Sequence, residues 1–363
     1  MGSQYRRLKM IRSVFVLFAL LIINESFGQI GGRYAYEFLG LPVSARLTGL
    51  GGHLISVSGE DDVNLAMSNP ANLDSLMHNS VSFSHNFHFA GISNGHAAYA
   101  RHVDKWKLNL HGGISYINYG DFVRSDEFGE DQGDFTGSEN AIVIGASHVL
   151  NEKIKVGANL KGVFGRYDNF SSAGIAADIG VNYAYVPNKV IISLAIKNLG
   201  GELTNYGDNR YAAPLDIQIG FSNRLKYLPF RFSIIAHQLQ RWGIRYDDPA
   251  NNQETDIFGT TNEKSAFSKE LDNFFRHFVF NGEFLLGRKE NLRIRVGYNH
   301  LRKQELASTE FRSIAGFSLG FGIKISKFRL DYGIGYHHLV GAVNHMTVST
   351  NLTEFKKKKL IGS

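Results

Sequence analysis

From residue 80 onward, apolar and polar residues alternate with a period of two. Successive side chains of a β-strand point to opposite faces, so this period predicts half-apolar strands. Val81, Phe83, Phe87 and Phe89 share one face, with His85 as an exception, while Ser82, Ser84, Asn86 and His88 share the other. Ile175, Ala177, Ile179, Val181 and Tyr183 oppose Gly174, Asp178, Gly180 and Asn182. Leu292, Ile294, Val296 and Tyr298 oppose Arg293, Arg295 and Asn299. Phe317, Leu319, Phe321, Ile323 and Ile325 oppose Gly316, Ser318, Gly320, Gly322 and Lys324.

Fourteen such segments are expected: 80–90, 93–102, 106–118, 139–149, 153–166, 170–186, 189–198, 213–223, 229–239, 276–287, 290–301, 311–325, 327–338 and 342–354. Many are near the ~9–11 residues that a tilted strand needs to cross a bilayer. Connections after even-numbered segments are short, as at Asp104-Lys105, Pro187-Asn188, Arg288-Lys289 and Ser326-Lys327. Several connections after odd-numbered segments are long, with 119–138 and 240–275 the extremes. Short periplasmic turns and longer outer loops mark an outer-membrane barrel. The fold class expected is therefore all-β, a transmembrane antiparallel barrel of about fourteen strands with both termini periplasmic. A soluble sandwich also alternates, but its second face closes a dry shared core. Here the second face carries Gly, Ser, Asn, Lys and Arg.

The first 79 residues do not alternate. Arg6, Arg7, Lys9 and Arg12 precede the apolar run 14–23, and Ser26-Phe27-Gly28 follows it with small residues. This reads as a cleaved signal peptide over 1–28, since ten apolar residues are too few to span a ~30 Å core. Residues 29–79 read as a compact hatch segment, because a fourteen-strand barrel is too wide to fill with its own side chains. The barrel then covers 80–355, and 356–363 is a basic tail.

Composition changes this picture little. The chain has 39 Gly, 27 Phe, 16 Tyr and 6 Pro, which suits curved ladders with aromatic rims. It has no Cys, which excludes a thiolate metal site and a disulfide framework. The net charge of +6 falls to +3 once the leader's balance of four basic residues against Glu25 is removed, so no nucleic-acid partner is implied. Gly316-Phe317-Ser318-Leu319-Gly320 matches a nucleophile elbow, but a continuing strand lacks the required strand-to-helix turn. Gly49-Leu50-Gly51-Gly52 lacks the Lys-Ser/Thr of a phosphate loop. The acidic stretch Asp121 to Glu139 fits no calcium loop, and adjacent His337 and His338 point to opposite faces. No enzyme, metal or cofactor is expected.

One resemblance stands out in the hatch. The runs 38–46 (FLGLPVSAR), 50–52 (LGG), 55–57 (ISV), 61–62 (DD), 64–66 (NLA) and 69–73 (NPANL) resemble the N-terminal signature of the PorV/PorQ group. Pro42, Arg46, Gly51, Gly52, Asn69, Pro70 and Ala71 carry that likeness, and the later runs 272–277, 292–299 and 316–332 extend it along the chain. These are outer-membrane proteins of the type IX secretion system of Bacteroidetes, similar to the FadL fold of fourteen strands with an N-terminal hatch. The resemblance implies a non-enzymatic anchor in the attachment complex, with the sortase PorU, PorV-like and PorZ-like proteins as partners besides outer-membrane lipid. That complex joins secreted cargo to lipopolysaccharide. Phe355 is followed by eight residues instead of ending the chain, a departure from a common barrel pattern. Trp242, Tyr246, Phe258, Phe267, Phe274 and Phe275 in 240–275 are the docking candidates. The alternatives are that these rings pack the loop onto the barrel rim, and that the barrel is a FadL-like channel for hydrophobic small molecules.

Overall fold

A computed structural model describes residues 33–207, 209–245, 265–287, 290–306, 314–338 and 341–355, with backbone alone at 266, 337 and 338. The expected leader, the basic tail, Tyr246 and Phe258 lie outside the described residues.

Fourteen strands follow in order: β1 (Ser80–Phe87), β2 (Ser93–Val103), β3 (Leu108–Ser125), β4 (Asp131–Val149), β5 (Ile154–Tyr167), β6 (Phe170–Val186) and β7 (Val190–Thr204). Then come β8 (Asp216–Arg224), β9 (Phe230–Ala236), β10 (Phe278–Leu286), β11 (Leu292–Asn299), β12 (Phe317–Ile325), β13 (Phe328–His338) and β14 (Gly341–Asn351). Each pairs antiparallel with its neighbours in sequence. β1 pairs with β14, from Ser80 opposite Asn351 to Phe87 opposite Asn344, and closes the barrel.

The burial pattern is the reverse of a soluble protein's. Ile142, Ile144, Leu160, Ile179, Ile294, Leu319 and Val348 point outward and are exposed. Ser84, His111, Asn159, Asp178, Arg295 and His345 point inward and are buried. An apolar exterior satisfied by closed backbone ladders is the arrangement lipid demands. No helix among the described residues is long and apolar enough to cross a membrane.

Two connections differ from expectation. The stretch 119–138 is not a long loop. β3 and β4 continue through it as a hairpin, with Phe122 opposite Phe135 and their rings stacked at 5.2 Å. The turn shrinks to 126–130, where Asp126 Oδ1 accepts from Phe128 N and Glu130 N. The acidic residues masked a ladder that bulges beyond Asn118. β11 and β12 are shorter than expected. Asn299 ends β11 and accepts from Arg302 N, capping a short helix (His300–Glu305).

The hatch, residues 34–79, runs down the lumen. It holds α1 (Ala45–Gly49), α2 (Leu65–Ser68) and 3-10 turns at Glu37–Gly40, Pro70–Asn72 and Ser75–Met77. The outer helices are α3 (Ala266–Arg276) and α4 (His300–Glu305). Ala35 N donates to Ala212 O in the β7–β8 connection, at the loop end of the barrel. Asn79 O accepts from Leu352 N at the opposite, short-turn end. The strands thus begin and finish at the turn end, while the first described hatch residues lie at the loop end.

Candidate functional site

The inward faces and the hatch meet along two seams. The first is ionic. Arg46, on α1, bonds Glu60 at 3.1 Å and Asp62 at 3.3 Å within the hatch, and Glu283 on β10 at 3.0 Å. Register explains why Glu283 is a hub: it lies opposite Arg231 of β9 and Arg295 of β11. It pairs with both, and Arg295 continues to Asp331 at 2.6 Å. Glu60 bonds Arg231 at 2.6 Å and Arg293 at 3.4 Å. Asp61 bonds Arg329 at 2.9 Å. Burial disfavours the charge on Arg46, but Glu283, Glu60 and Asp62 outweigh it and hold the guanidinium protonated beyond its ordinary range. Burial likewise opposes the Glu60 charge, and Arg231, Arg46 and Arg293 overcome it, holding the carboxyl well below the usual carboxylate range.

The second seam is neutral. Asn69 caps the Pro70–Asn72 turn by accepting from Ala71 N, and its amide donates to Ile55 O and to Asn182 Oδ1 of β6, both at 2.9 Å. Pro at the first turn position costs no hydrogen bond, because that N–H would be unsatisfied anyway. Two inward glycines receive this turn. A Cβ on Gly157 would come 2.5 Å from the Pro70 carbonyl carbon, and one on Gly180 would overlap Asn69 Oδ1. Gly49 meets Gly320 of β12 in the same way, at 2.7 Å from a built Cβ to its Cα. Several inward glycines of the wall are therefore places where the hatch comes too close for a side chain.

Above the seams, toward the loops, lies a chamber of about 400 Å³. Leu39, Leu41, Pro42 and Val43 of the hatch and Leu215, Ile244 and Leu301 of the connections form its aliphatic part, and Glu37, Lys197, Asp216, Arg241, Arg302 and Glu305 its charged part. His53 and His237 stack in its wall at 4.7 Å. His237 is 2 % exposed and its Nε2 has no hydrogen-bond partner among the described residues. Burial is the leading cause that pushes both imidazoles down; neighbouring His237 and Arg302 add to it at His53, and His277 and Arg302 at His237, which falls to about 4 against the opposing charge of Asp216. A second cavity of about 460 Å³ at the turn end is lined by paired charges, among them Asp61, Arg293 and Arg329.

The hatch residues singled out from sequence thus fall in four places. Arg46 joins the ionic seam; Asn69, Pro70 and Ala71 form the neutral seam; Pro42 lines the chamber. Gly51 and Gly52 terminate α1 with φ of 77° and 97°, the left-handed region where glycine pays no Cβ penalty. Of the loop candidates, Trp242 stacks on His277 at 5.1 Å and lies 6.1 Å from Phe274, which meets Phe275 at 5.5 Å. Phe267 lies further along the same helix and is the most exposed of them. Sequence reasoning missed Glu60, Arg231 and Glu283. Opposite charges on inward faces of adjacent strands are the signal that finds Arg231 and Glu283 once register is known, whereas Glu60 lies in the hatch and carries no such signal. Ser318, centre of the elbow-like pattern, is an inward residue of β12. No cluster of metal-ligand type exists among the described residues.

An internally plugged, closed fourteen-stranded barrel with an apolar exterior defines an outer-membrane β-barrel protein. No protein-family profile matches the chain, and no curated protein matches it by sequence. Among solved structures, it is similar to the Pseudomonas putida toluene transporter TodX, with 11% identity over 85% of this chain and 96% of that one, at a TM-score of 0.51. A TodX ΔS2 mutant, described as a monoaromatic hydrocarbon channel, gives 12% identity over 85% and 97%, also at 0.51. A Pseudomonas aeruginosa FadL homologue gives 10% over 85% and 98%, at 0.48. The TodX likeness shows the shared fold, an outer-membrane β-barrel.

Proposed function

We propose that the protein is an outer-membrane channel-type barrel that takes a small hydrophobic molecule into its loop-end chamber. The observation that carries this reading is the chamber itself: about 400 Å³ at the loop end, with hatch and loop aliphatic side chains along one part of its wall and charged groups, among them Lys197, Asp216 and Arg302, along the rest. Small-ligand sites combine apolar walls with polar groups that fix orientation, and this chamber offers both. The channel and transporter named among the similar folds carry hydrocarbons, which agrees with the aliphatic part of that lining. The test is saturable binding of radiolabelled toluene, and of a long-chain fatty acid, to the purified barrel. Leu41→Arg puts a charge into the aliphatic part of the wall and should weaken binding about tenfold or more. Absence of saturable binding, or affinity unchanged in Leu41→Arg, would defeat the reading.

A second reading is a non-enzymatic surface anchor in type IX secretion, of the PorV/PorQ kind. It draws on the hatch: the signature residues Arg46, Asn69 and Pro70 are those that tie the plug to the wall. A plug locked on two sides suits an anchor better than a conduit. Affinity purification from native outer membranes tests it, with PorU-like, PorV-like and PorZ-like proteins as the expected company. Recovery of the barrel alone counts against it.

A further inference from the structure

Helix α3 is turned inside out. Its polar side packs on the protein. Asn273 is buried, donates to Trp242 O at 2.8 Å and accepts from Ile244 N and Arg245 N. Arg276 is buried and pairs with Asp272, which also reaches His300 of α4. The helix's apolar side consists of Phe267, Leu271, Phe274 and Phe275, spaced as one stripe of a 3.6-residue helix. All four are exposed, Phe267 to 77 %. A surface helix of a soluble domain does the opposite, with its stripe against the core.

The stripe is not isolated. Phe274 meets Phe278 at 4.8 Å, and Phe278 stacks toward Phe280 at 6.1 Å along the outward face of β10. Phe280 sits opposite Tyr298 of β11, whose ring meets Phe317 of β12 at 4.9 Å. Below this row the outward faces of the same strands continue as Phe284, Ile294, Val296 and Leu319. The helix stripe is thus one end of an unbroken apolar surface whose remainder is the lipid-facing band of the barrel. Trp242, 55 % exposed, stands beside it, and Trp is a residue favoured at membrane interfaces.

We infer that α3 is an interfacial helix, laid on the outer leaflet with Phe267, Leu271, Phe274 and Phe275 in the acyl boundary and its polar side clamped to the barrel rim. Its occupant is lipid, by continuity with the band below, and this holds whatever the lumen carries. The helix widens the apolar belt above the β9–β10 rim.

The chain has no Cys, so single-cysteine probes need no altered background. Phe267→Cys and Leu271→Cys, labelled with bimane, are reconstituted in phosphatidylcholine vesicles with and without doxyl-labelled lipid. Leu319→Cys on the outward wall gives the lipid reference, and Gln132→Cys in the β3–β4 hairpin gives the aqueous one. Heat-modifiable gel mobility selects folded barrels. The expected result is doxyl quenching at 267 and 271 within about twofold of that at 319, and iodide quenching at least about twofold below that at 132. As a second measurement that leaves α3 intact, Trp106→Phe makes Trp242 the sole tryptophan, and its emission should be quenched by doxyl lipid. Labels at 267 and 271 that behave like the one at 132, together with a Trp242 insensitive to doxyl lipid, overturn the inference. That is also the outcome if a protein partner is what covers this face.

Discussion

The hatch touches the barrel wall in two chemically different ways. Against β9 to β13 it presents Arg46, Glu60 and Asp61 to guanidiniums and carboxylates, with the Arg46 and Glu283 side chains each 2 % exposed. Against β5 and β6 it presents an Asn-Pro-Ala turn to two glycines and the Asn182 amide, which donates to Val57 O and Ala71 O at 3.1 Å. The neutral seam depends on shape: it fails when a side chain fills space that backbone occupies. The ionic seam depends on balance: it fails when one charge loses its partner while still buried. A plug held by both resists different perturbations on its two sides, so substitutions can separate them.

The largest effect is expected on the ionic side. Arg46→Met leaves Glu283, Glu60 and Asp62 short of a cation, and removing one partner of a buried pair costs about 3–5 kcal/mol. The hatch should then detach, seen as protease cleavage within 40–78 and as ion conductance in planar bilayers. Glu60→Gln in the same chain removes the surplus negative charge, and should recover part of the loss through a coupling of about 0.5–3 kcal/mol. A double variant as leaky as the sum of its parts breaks the balance argument. The linkage sign follows from Glu60, whose folded pKa is depressed. Its contribution is present above the ordinary carboxylate range and lost only as pH falls below it, so the plug should stay shut from pH 8 down to about 5.

The neutral side predicts a smaller loss that no charge change rescues. Gly180→Ala and Gly157→Ala each place a methyl group where the Asn69–Ala71 turn lies, and overpacking of this kind costs about 1–3 kcal/mol. Gly162→Ala is the control, since its Cβ would meet nothing nearer than Phe164 Cε2 at 3.9 Å. Equal protease resistance in all three would mean that the turn does not bear on those glycines.

The difference between the seams also explains what could be read from sequence. The fourteen strands were legible because lipid outside and polar groups inside enforce a period of two along every crossing, as at Ile294, Arg295 and Val296. The β3–β4 hairpin was not, because beyond the membrane neither face is held to that rule, and Asp121, Asp126 and Asp134 look like loop. The inward polar residues were visible as a class, but not their pairing. Glu283 gains meaning only when register sets it between Arg231 and Arg295. The hatch motif Asn69-Pro70-Ala71 stood out as a turn, yet the glycines it needs lie some ninety residues on or more, in strands where glycine had an ordinary explanation. The inverted face of α3 was hidden for another reason: its aromatic stripe reads the same whether it faces a core, a partner or lipid.

The smallest effect lies above both seams, at the chamber, and it tests whether neutral packing there resembles the neutral seam below. His237 N donates to His277 O, His277 Nδ1 sits 2.8 Å from His237 O, and Trp242 stacks on His277. Burial lowers the pKa of His237 to about 4, helped by His277 and Arg302 and opposed by Asp216. His53 is lowered for the same leading reason. A base whose folded pKa is depressed loses stability as pH falls, beginning at the free imidazole value near 6.5, because only the displaced state takes up the proton. Between pH 7.5 and 5.5 the packing of the β9–β10 connection should therefore weaken by about 1 kcal/mol per histidine. Trp106→Phe isolates the Trp242 emission as the reporter, and its unfolding midpoint in urea should fall over that interval. His237→Asn keeps a polar group that does not titrate, and should flatten the dependence by about half, with His53 supplying the rest. A midpoint that stays constant to pH 5.5, or one that drops equally in His237→Asn, would mean that the buried imidazoles do not govern this end of the barrel.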